Sequence, residues 1–517
     1  MSYALEKEMQ RVQQLFQSGQ IDQARNACQK AVKRFSKKVE PCVLLARIEQ
    51  SQGRPEALLH ALSKACQRAP KNLQLKVSYG DAAMSVNHYS VAAKVYREGV
   101  KLQPQQALWK MRLATALQQL PGSLNEAIRL YRELIVTTPN DAMLHYNLGT
   151  ALKRQHDFNA TLAAYRQALQ LAPSDIDIHL SLCNLLVELE RFEELIDAAP
   201  ALLSLNPDIS QVYEWLHYAN KKLLRTEASL SAAERLMELE GATANNLGFL
   251  ASAHIANKAY SIAIKHCDLA LEQAPSDRRV LADKTIALSA QSAQAGSNHI
   301  EDLFQLDSFL FSQQIDVPSH YDNIQAFNHA MIEHISDHPH VHFSGVSHSC
   351  YGGVTSNEVF VEPLGPMQQL MQVIERSVEE YRQQLSQLLA SNSRTLQCHP
   401  WLSHLPEQDR LHLSGWVTRL RSQGFQQGHM HPTGWISGVY YLSLPAEVGG
   451  ADNAGYIEFG RAPEYYPDTD QGKIRIVKPV AGTLVLFPSY FYHRTIPFSS
   501  DNERFTIAFD YRKQDLS

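Results

Sequence analysis

Two imidazoles stand two residues apart in Gly428-His429-Met430-His431-Pro432, and a third, His493, follows the apolar run Gly482–Pro488. On a strand, residues i and i+2 face the same way, so His429 and His431 can aim at one point if the chain is extended there. Neutral imidazole is a common ligand of divalent metals, so three of them offer one face of a coordination sphere, a set that also suits zinc. Eleven residues after His493 comes Arg504, in Arg504-Phe505-Thr506-Ile507-Ala508-Phe509. Phe505, Ile507 and Phe509 need a core, so alternation turns Arg504, Thr506 and Ala508 the other way, into the interior of a barrel. A buried guanidinium needs an anionic partner, which a bound acid or a protein carboxylate could supply.

These residues require a β scaffold, and the sequence supplies one. From Leu413 onward the hydrophobic period is two. Short β-rich runs fall at Ser414–Leu420, Trp435–Leu444, Gly455–Phe459, Lys473–Val477, Thr483–Phe487 and Arg504–Tyr511, separated by turn residues such as Ala481-Gly482 and Ser499–Asn502. Many short strands with regular turns predict a sandwich, barrel or jelly roll. Ahead of them, Tyr321–His334 reads as a helix. Pro366–Leu389 reads as a long amphipathic one that lies across a sheet face, apolar at Leu370, Val373, Ile374, Val378 and Tyr381. The loop 447–470, with Arg461, Tyr465 and Tyr466, is placed to be either a substrate lid or a connector. His338, His340, His342 and His348 form a His-rich stretch that Pro339 interrupts, which favours a loop over a metal site. Ser437 has no Gly-x-Ser-x-Gly elbow around it and is not a nucleophile candidate.

The first half is built differently. Pro70, Pro104, Pro139, Pro173, Pro207 and Pro275 follow helical stretches at steps of 34, 35, 34, 34 and 68 residues, and Gly241 occupies the skipped slot. A 34-residue period resembles the tetratricopeptide repeat family. Within the clearest unit, Gly149 and Ala168 let two helices approach and Tyr165 fills the gap; Tyr96 and Tyr131 recur at the same slot. The expected architecture is an all-α solenoid of about eight helix pairs over 1–290, a linker at 291–302 and a β domain over 303–517. The unit around 210–245 lacks its proline and is expected to be distorted or to bend the array. Such a solenoid can present a concave surface to a protein or peptide.

Composition narrows the rest. With 44% hydrophobic and 20% charged residues the chain is an ordinary globular one, and a net charge of −5 gives no electrostatic case for nucleic acid. Seven scattered cysteines without a C-x-x-C pair read as reduced, core-filling thiols. No apolar run approaches the length of a membrane span and the N-terminus reads as no signal region, so a cytoplasmic protein is expected.

Taken together, His-x-His-Pro, Trp435–Leu442, Gly482-Thr-Leu-Val-Leu-Phe-Pro-Ser489 with His493, and Arg504-x-Thr506 resemble the 2-oxoglutarate- and Fe(II)-dependent oxygenases, most closely the bacterial branch carrying H-x-H-P and S-G-V-Y-Y-L. The resemblance covers roughly 303–513. It implies a double-stranded β-helix, that is, a jelly roll; Fe(II), 2-oxoglutarate and O2; and hydroxylation coupled to decarboxylation of the keto acid. It further implies that His429 and His493 are the first and distal histidine ligands, that Arg504 pairs with the far carboxylate of 2-oxoglutarate, and that Thr506 and Tyr440 or Tyr441 add hydrogen bonds to it. The family's usual acidic ligand is replaced here by His431. Three arrangements follow: a three-His site, two histidines with water in the gap, or Glu458 or another acid reaching in. Two rival functions follow as well: a non-enzymatic repeat adaptor with a degenerate barrel, and a three-His metal enzyme that uses no keto acid.

Overall fold

Helices at the 34-residue spacing occupy the chain from α1 (Tyr3–Gln17) to α17 (Arg278–Ala295) in the computed structural model. It describes residues 3–295, 305–344, 350–390, 396, 399–406, 411–450, 452–466 and 473–513. The chain divides into two compact units, Met1–Leu185 and Leu186–Ser517.

The first unit consists of paired helices. In α9 (Ala142–Arg154) and α10 (Phe158–Leu171), a Cβ on Gly149 would lie 2.6 Å from the Tyr165 ring, so only glycine admits the tyrosine there. Tyr96, Tyr131 and Tyr165 are all buried at this recurring slot. The turns are closed by capping side chains: Asp141 accepts from the amides of Met143 and Leu144, and Asp157 from that of Ala160.

The second unit holds further paired helices and adds the sheets. The segment expected to be distorted is a regular packed pair, α13 (Ser210–Lys222) and α14 (Thr226–Glu240). Gly241, at φ 77°, ends α14 where proline follows the other units. The small polar run expected at the boundary is helical as far as Ala295; residues 296–304, most of the expected linker, lie outside the described residues.

Ten strands follow. The larger sheet has seven antiparallel strands in the order β1-β8-β5-β10-β4-β3-β2: β1 (Phe311–Gln314), β2 (Phe343–Ser344), β3 (Cys350–Ser356), β4 (Leu411–Gln426), β5 (Gly434–Ser443), β8 (Thr483–Pro488) and β10 (Arg504–Lys513). The smaller is β7-β6-β9: β6 (Ile457–Phe459), β7 (Arg475–Val477) and β9 (His493–Thr495). This is a jelly roll flanked by α19 (Ile324–Asp337) and α20 (Met367–Ala390). α20 packs its buried stripe into the same core as the strands, and Tyr381 donates to the Phe309 carbonyl at 2.7 Å.

One hydrophobic core joins the last helices to the jelly roll. It includes Leu247, Ala251, Ile255, Val280 and Leu281 together with Trp435, Phe487 and Tyr492. The helical period thus ends about a hundred residues after the packing boundary at Leu185. A fragment ending after Glu188 is expected to be soluble and mainly helical by circular dichroism. One ending at Ala290 uncovers that apolar face and is expected to bind hydrophobic dyes or aggregate. A strand-rich spectrum from the shorter fragment would refute the repeat architecture.

Candidate metal centre

His429 lies on an extended segment, not inside a regular strand, and is held there by an isolated bridge. Its amide donates to the His493 carbonyl at 3.0 Å, and the His493 amide returns a bond to His429 at 2.9 Å. Two residues on, the His431 amide donates to the Ser489 carbonyl at 3.0 Å. These bonds bring three rings together, with centroids 4.3 Å apart for His429 and His493, 5.0 Å for His431 and His493, and 5.3 Å for His429 and His431. One nitrogen from each lies within 4.8 Å of the others, and among the described residues no other three His, Cys, Asp or Glu gather in this way.

The outward nitrogen of each ring is already engaged. Nδ1 of His429 meets the Gln427 carbonyl at 2.8 Å, Nδ1 of His493 the Phe491 carbonyl at 3.0 Å, and Nδ1 of His431 the Asp510 carboxylate at 2.6 Å. Carbonyls and carboxylates only accept, so each Nδ1 carries its proton and each Nε2 keeps a lone pair. That is the arrangement by which protein groups fix the tautomer of metal-binding histidines. Burial, followed by the neighbouring imidazoles, pushes His429 down to about 4 and His493 well below the usual histidine range, so both are neutral near pH 7. Three imidazole nitrogens gathered in this way fit a divalent transition metal.

Asp510 is the functional residue that the sequence reading missed. Burial alone would raise its pKa; His431, Ser437 and Arg512 together outweigh that and hold it below the ordinary carboxylate value. Ser437 donates to the same oxygen at 2.7 Å, which gives this serine an orienting role. The available signal was the alternation Arg504, Thr506, Ala508, Asp510 on one face of β10. Asp510→Asn keeps the shape but can no longer hold the Nδ1 proton in the same way. Metal affinity is expected to fall about 10- to 100-fold, read by competition with a chromogenic chelator; unchanged affinity would remove Asp510 from the centre.

Glu458 does not reach in. Its neighbour Phe459 faces the His493 ring at 5.9 Å, so alternation along β6 sends Glu458 the other way, to Arg461 and, at 2.8 Å, Arg494. Phe487 packs on His493 at 4.7 Å and Trp416 on His431 at 5.5 Å, forming apolar walls. His338 meets the Pro363 carbonyl through Nε2 and accepts from the His340 amide at Nδ1, and His342 bonds to Asn357 through its amide; His348 lies outside the described residues. Tyr466, in the loop of 447–470, donates to Asp283 at 2.8 Å, so the described end of that loop is anchored to α17; residues 467–470 lie outside the described residues.

A second cluster shares the sheet face of Asp510. Arg504, Thr506 and Tyr441 come together, since Thr506 pairs with Tyr441 across β5 and with Thr418 across β4. Arg504 is only 2% exposed, and its guanidinium stands 5.3 Å from the Tyr441 ring centroid. Nε of Arg504, the Tyr441 hydroxyl and Oγ1 of Thr418 are buried without a hydrogen-bond partner, and among the described residues no carboxylate pairs with Arg504. Tyr440 is not part of this group. It pairs with Ile507 on the opposite face and donates to Asn328 at 2.7 Å. From Arg504 to Asp510 is six residues, about 20 Å of strand, and the side chains between them on this face, Thr506 and Ala508, are small.

Family models match three stretches: "Putative 2OG-Fe(II) oxygenase" over 414–510, and "Tetratricopeptide repeat" over 79–142 and 144–175. No curated protein matches the chain. Among solved structures, similar ones include MamA 41-end from Desulfovibrio magneticus RS-1 (20% identity, 33% of this chain and 96% of that one, TM-score 0.29). Another is YrrB, described as a TPR protein with an unusual peptide-binding site (16% identity, 37% and 99%, TM-score 0.34). Among the described residues no helix is long and apolar enough to cross a membrane.

Proposed function

We propose that this fusion of tetratricopeptide repeats with a 2-oxoglutarate/Fe(II) oxygenase domain is a hydroxylase whose metal is held by His429, His431 and His493. The observation that carries the reading is Arg504: a buried guanidinium with an unpartnered Nε, beside an unpartnered tyrosine hydroxyl, on the sheet face that also holds the partner of His431. A lone buried cation is costly, and the distal carboxylate of 2-oxoglutarate is the anion that the family's chemistry supplies.

Each residue then has a task. Asp510, Gln427 and Phe491 hold the three Nδ1 protons, so the three Nε2 atoms remain free to ligate. Arg504 binds the far carboxylate of the keto acid, with Tyr441, Thr418 and Thr506 on hand for its oxygens. Phe459, Phe487 and Trp416 exclude water around the imidazoles. Fe(II), held by these three imidazoles, would supply the oxygen chemistry that couples decarboxylation of the keto acid to hydroxylation of the substrate. Replacing the family's acid by His431 leaves the ligand set neutral, so Asp510 contributes its negative charge one hydrogen bond away from the metal position.

The test is an anaerobic titration with Fe(II) and then 2-oxoglutarate. A weak visible charge-transfer band is expected only when both are present. No band, with iron bound, would turn the reading to a metal enzyme that uses no keto acid. No iron bound would turn it to a repeat adaptor. The compartment expected from the cysteines is the cytoplasm, and a protein or peptide is the expected partner of the repeats.

A further inference from the structure

A cavity of about 610 Å³ opens beside His429, lined on one side by the Gln427–Met430 stretch and on the other by α13, α15 (Ala244–Ala256) and α17. Its most unusual feature is a pair of adjacent ammonium groups in the last turn of α13, Lys221 and Lys222. Lys221 donates to Ser252 at 2.7 Å; the Ser252 hydroxyl is 2.8 Å from that of Tyr466, which donates to Asp283 at 2.8 Å. Lys221 and Asp283 are thus linked through two hydroxyls, and Asp283 also attracts the ammonium. Lys222 makes no hydrogen bond or ion pair among the described residues; it stands 4.7 Å from the Tyr465 ring and 5.6 Å from the Tyr218 ring.

Burial pushes Lys221 down to about 8 against the attraction of Asp283, and lowers Lys222 against that of Glu190 and Glu464, so desolvation outweighs the acids nearby. Two acids of the cavity are already engaged. Asp277 caps α17 through the amides of Arg279 and Val280, and Asp283 takes the hydroxyls of Tyr466 and Tyr492. Phe249, Val280 and Met430 supply apolar wall. The helix terminus at which both lysines sit favours cations in general, but it does not require two of them to face an aromatic-lined cavity next to an imidazole cluster.

We propose that Lys221 and Lys222 form an anion subsite, which receives a carboxylate of the molecule hydroxylated at the three-imidazole centre while its apolar body lies in the cavity. Calling that molecule the substrate rests on the oxygenase reading; the anion preference does not. A carboxylate can come from a small organic acid or from an acidic side chain of a peptide.

The full-length protein, free of metal and keto acid, is titrated with 1-anilinonaphthalene-8-sulfonate and with uncharged N-phenyl-1-naphthylamine, following fluorescence. Lys222→Met is expected to weaken the sulfonate dye roughly tenfold or more and to leave the neutral dye within about twofold. Lys222→Glu should do so more strongly, and Lys221→Met provides a second variant should one fail to fold. Unchanged sulfonate binding in the folded variants, or equal loss of both dyes, would overturn the subsite. Displacement of the sulfonate dye from wild type then separates the sources. Blocked Phe-Asp-Phe peptide displacing it, but not its Phe-Asn-Phe counterpart, indicates an acidic side chain. 4-Phenylbutyrate alone displacing it indicates a small acid. Displacement by neither overturns the carboxylate assignment. The Fe(II)–2-oxoglutarate band is measured in Lys222→Met in parallel. A band with no anion preference sinks the subsite alone, and an anion preference without a band in wild type sinks the oxygenase reading alone.

Discussion

His493→Ala is expected to abolish stoichiometric Fe(II) binding. Apart from its place in the cluster, the ring makes one hydrogen bond that alanine would lose, from Nδ1 to the Phe491 carbonyl. Its backbone bonds to His429 survive the change, and Phe459 and Phe487 can close on the space. What disappears is one of three donors gathered within 4.8 Å. Loss of a hydrogen-bond partner one step removed from a metal costs about 10- to 100-fold in affinity, so loss of a ligand itself should exceed about 100-fold. Metal content after anaerobic reconstitution and desalting reads this directly, and circular dichroism checks that the jelly roll has formed. A variant that retains one iron per chain would dismiss the site. His431→Ala separates two arrangements that the residue types alone leave open: if all three imidazoles ligate, it should match His493→Ala, and if water fills that position it should bind nearly as wild type.

Much of this was legible in the sequence, for identifiable reasons. Period 34 with terminating prolines marks the repeats because each unit must bury the same face against its neighbours. The Gly149–Tyr165 contact follows from residue size alone, and the strands follow from alternation that one buried face imposes. The histidine pair was legible because both residues sit on one extended stretch. What could not be read depends on which strand lies beside which. Tyr440 and Tyr441 are separable only once β5 is known to pair with β10 through Tyr441 and Thr506; β5 is buried on both faces, so no amphipathic signal distinguishes them. Asp510 finds His431 because Ser437 lies opposite it across the same pairing. The docking of the last helices on the jelly roll was invisible for a related reason. A repeat helix buries its apolar positions whether the neighbour is another repeat or a sheet.

Arg504→Ala separates an oxygenase from a barrel that only carries repeats. Alternation along β10 puts Ile507 and Phe509 into the core and Arg504, Thr506 and Asp510 on the other face, and all five are buried. The guanidinium is thus deep in the protein, with Nε unpartnered and an aromatic ring for company. Burial lowers its pKa, and contact with Tyr441 offsets part of that, yet arginine remains charged at any working pH. A cation in that position costs stability unless an anion joins it. If the anion is the keto acid, removing the cation should weaken 2-oxoglutarate by about 2–5 kcal/mol, the usual loss when one member of a buried charge pair is truncated, or about 30- to 5,000-fold in Kd. Iron affinity should change little, because no imidazole contact depends on Arg504. Tyr440→Phe is the control: it loses the bond to Asn328, about 1 kcal/mol of stability, and should leave the keto acid untouched. Succinate formed against 2-oxoglutarate concentration, for wild type and both variants, is the measurement. Equal keto-acid dependence in wild type and Arg504→Ala, with iron bound in both, would mean that the guanidinium serves some other anion.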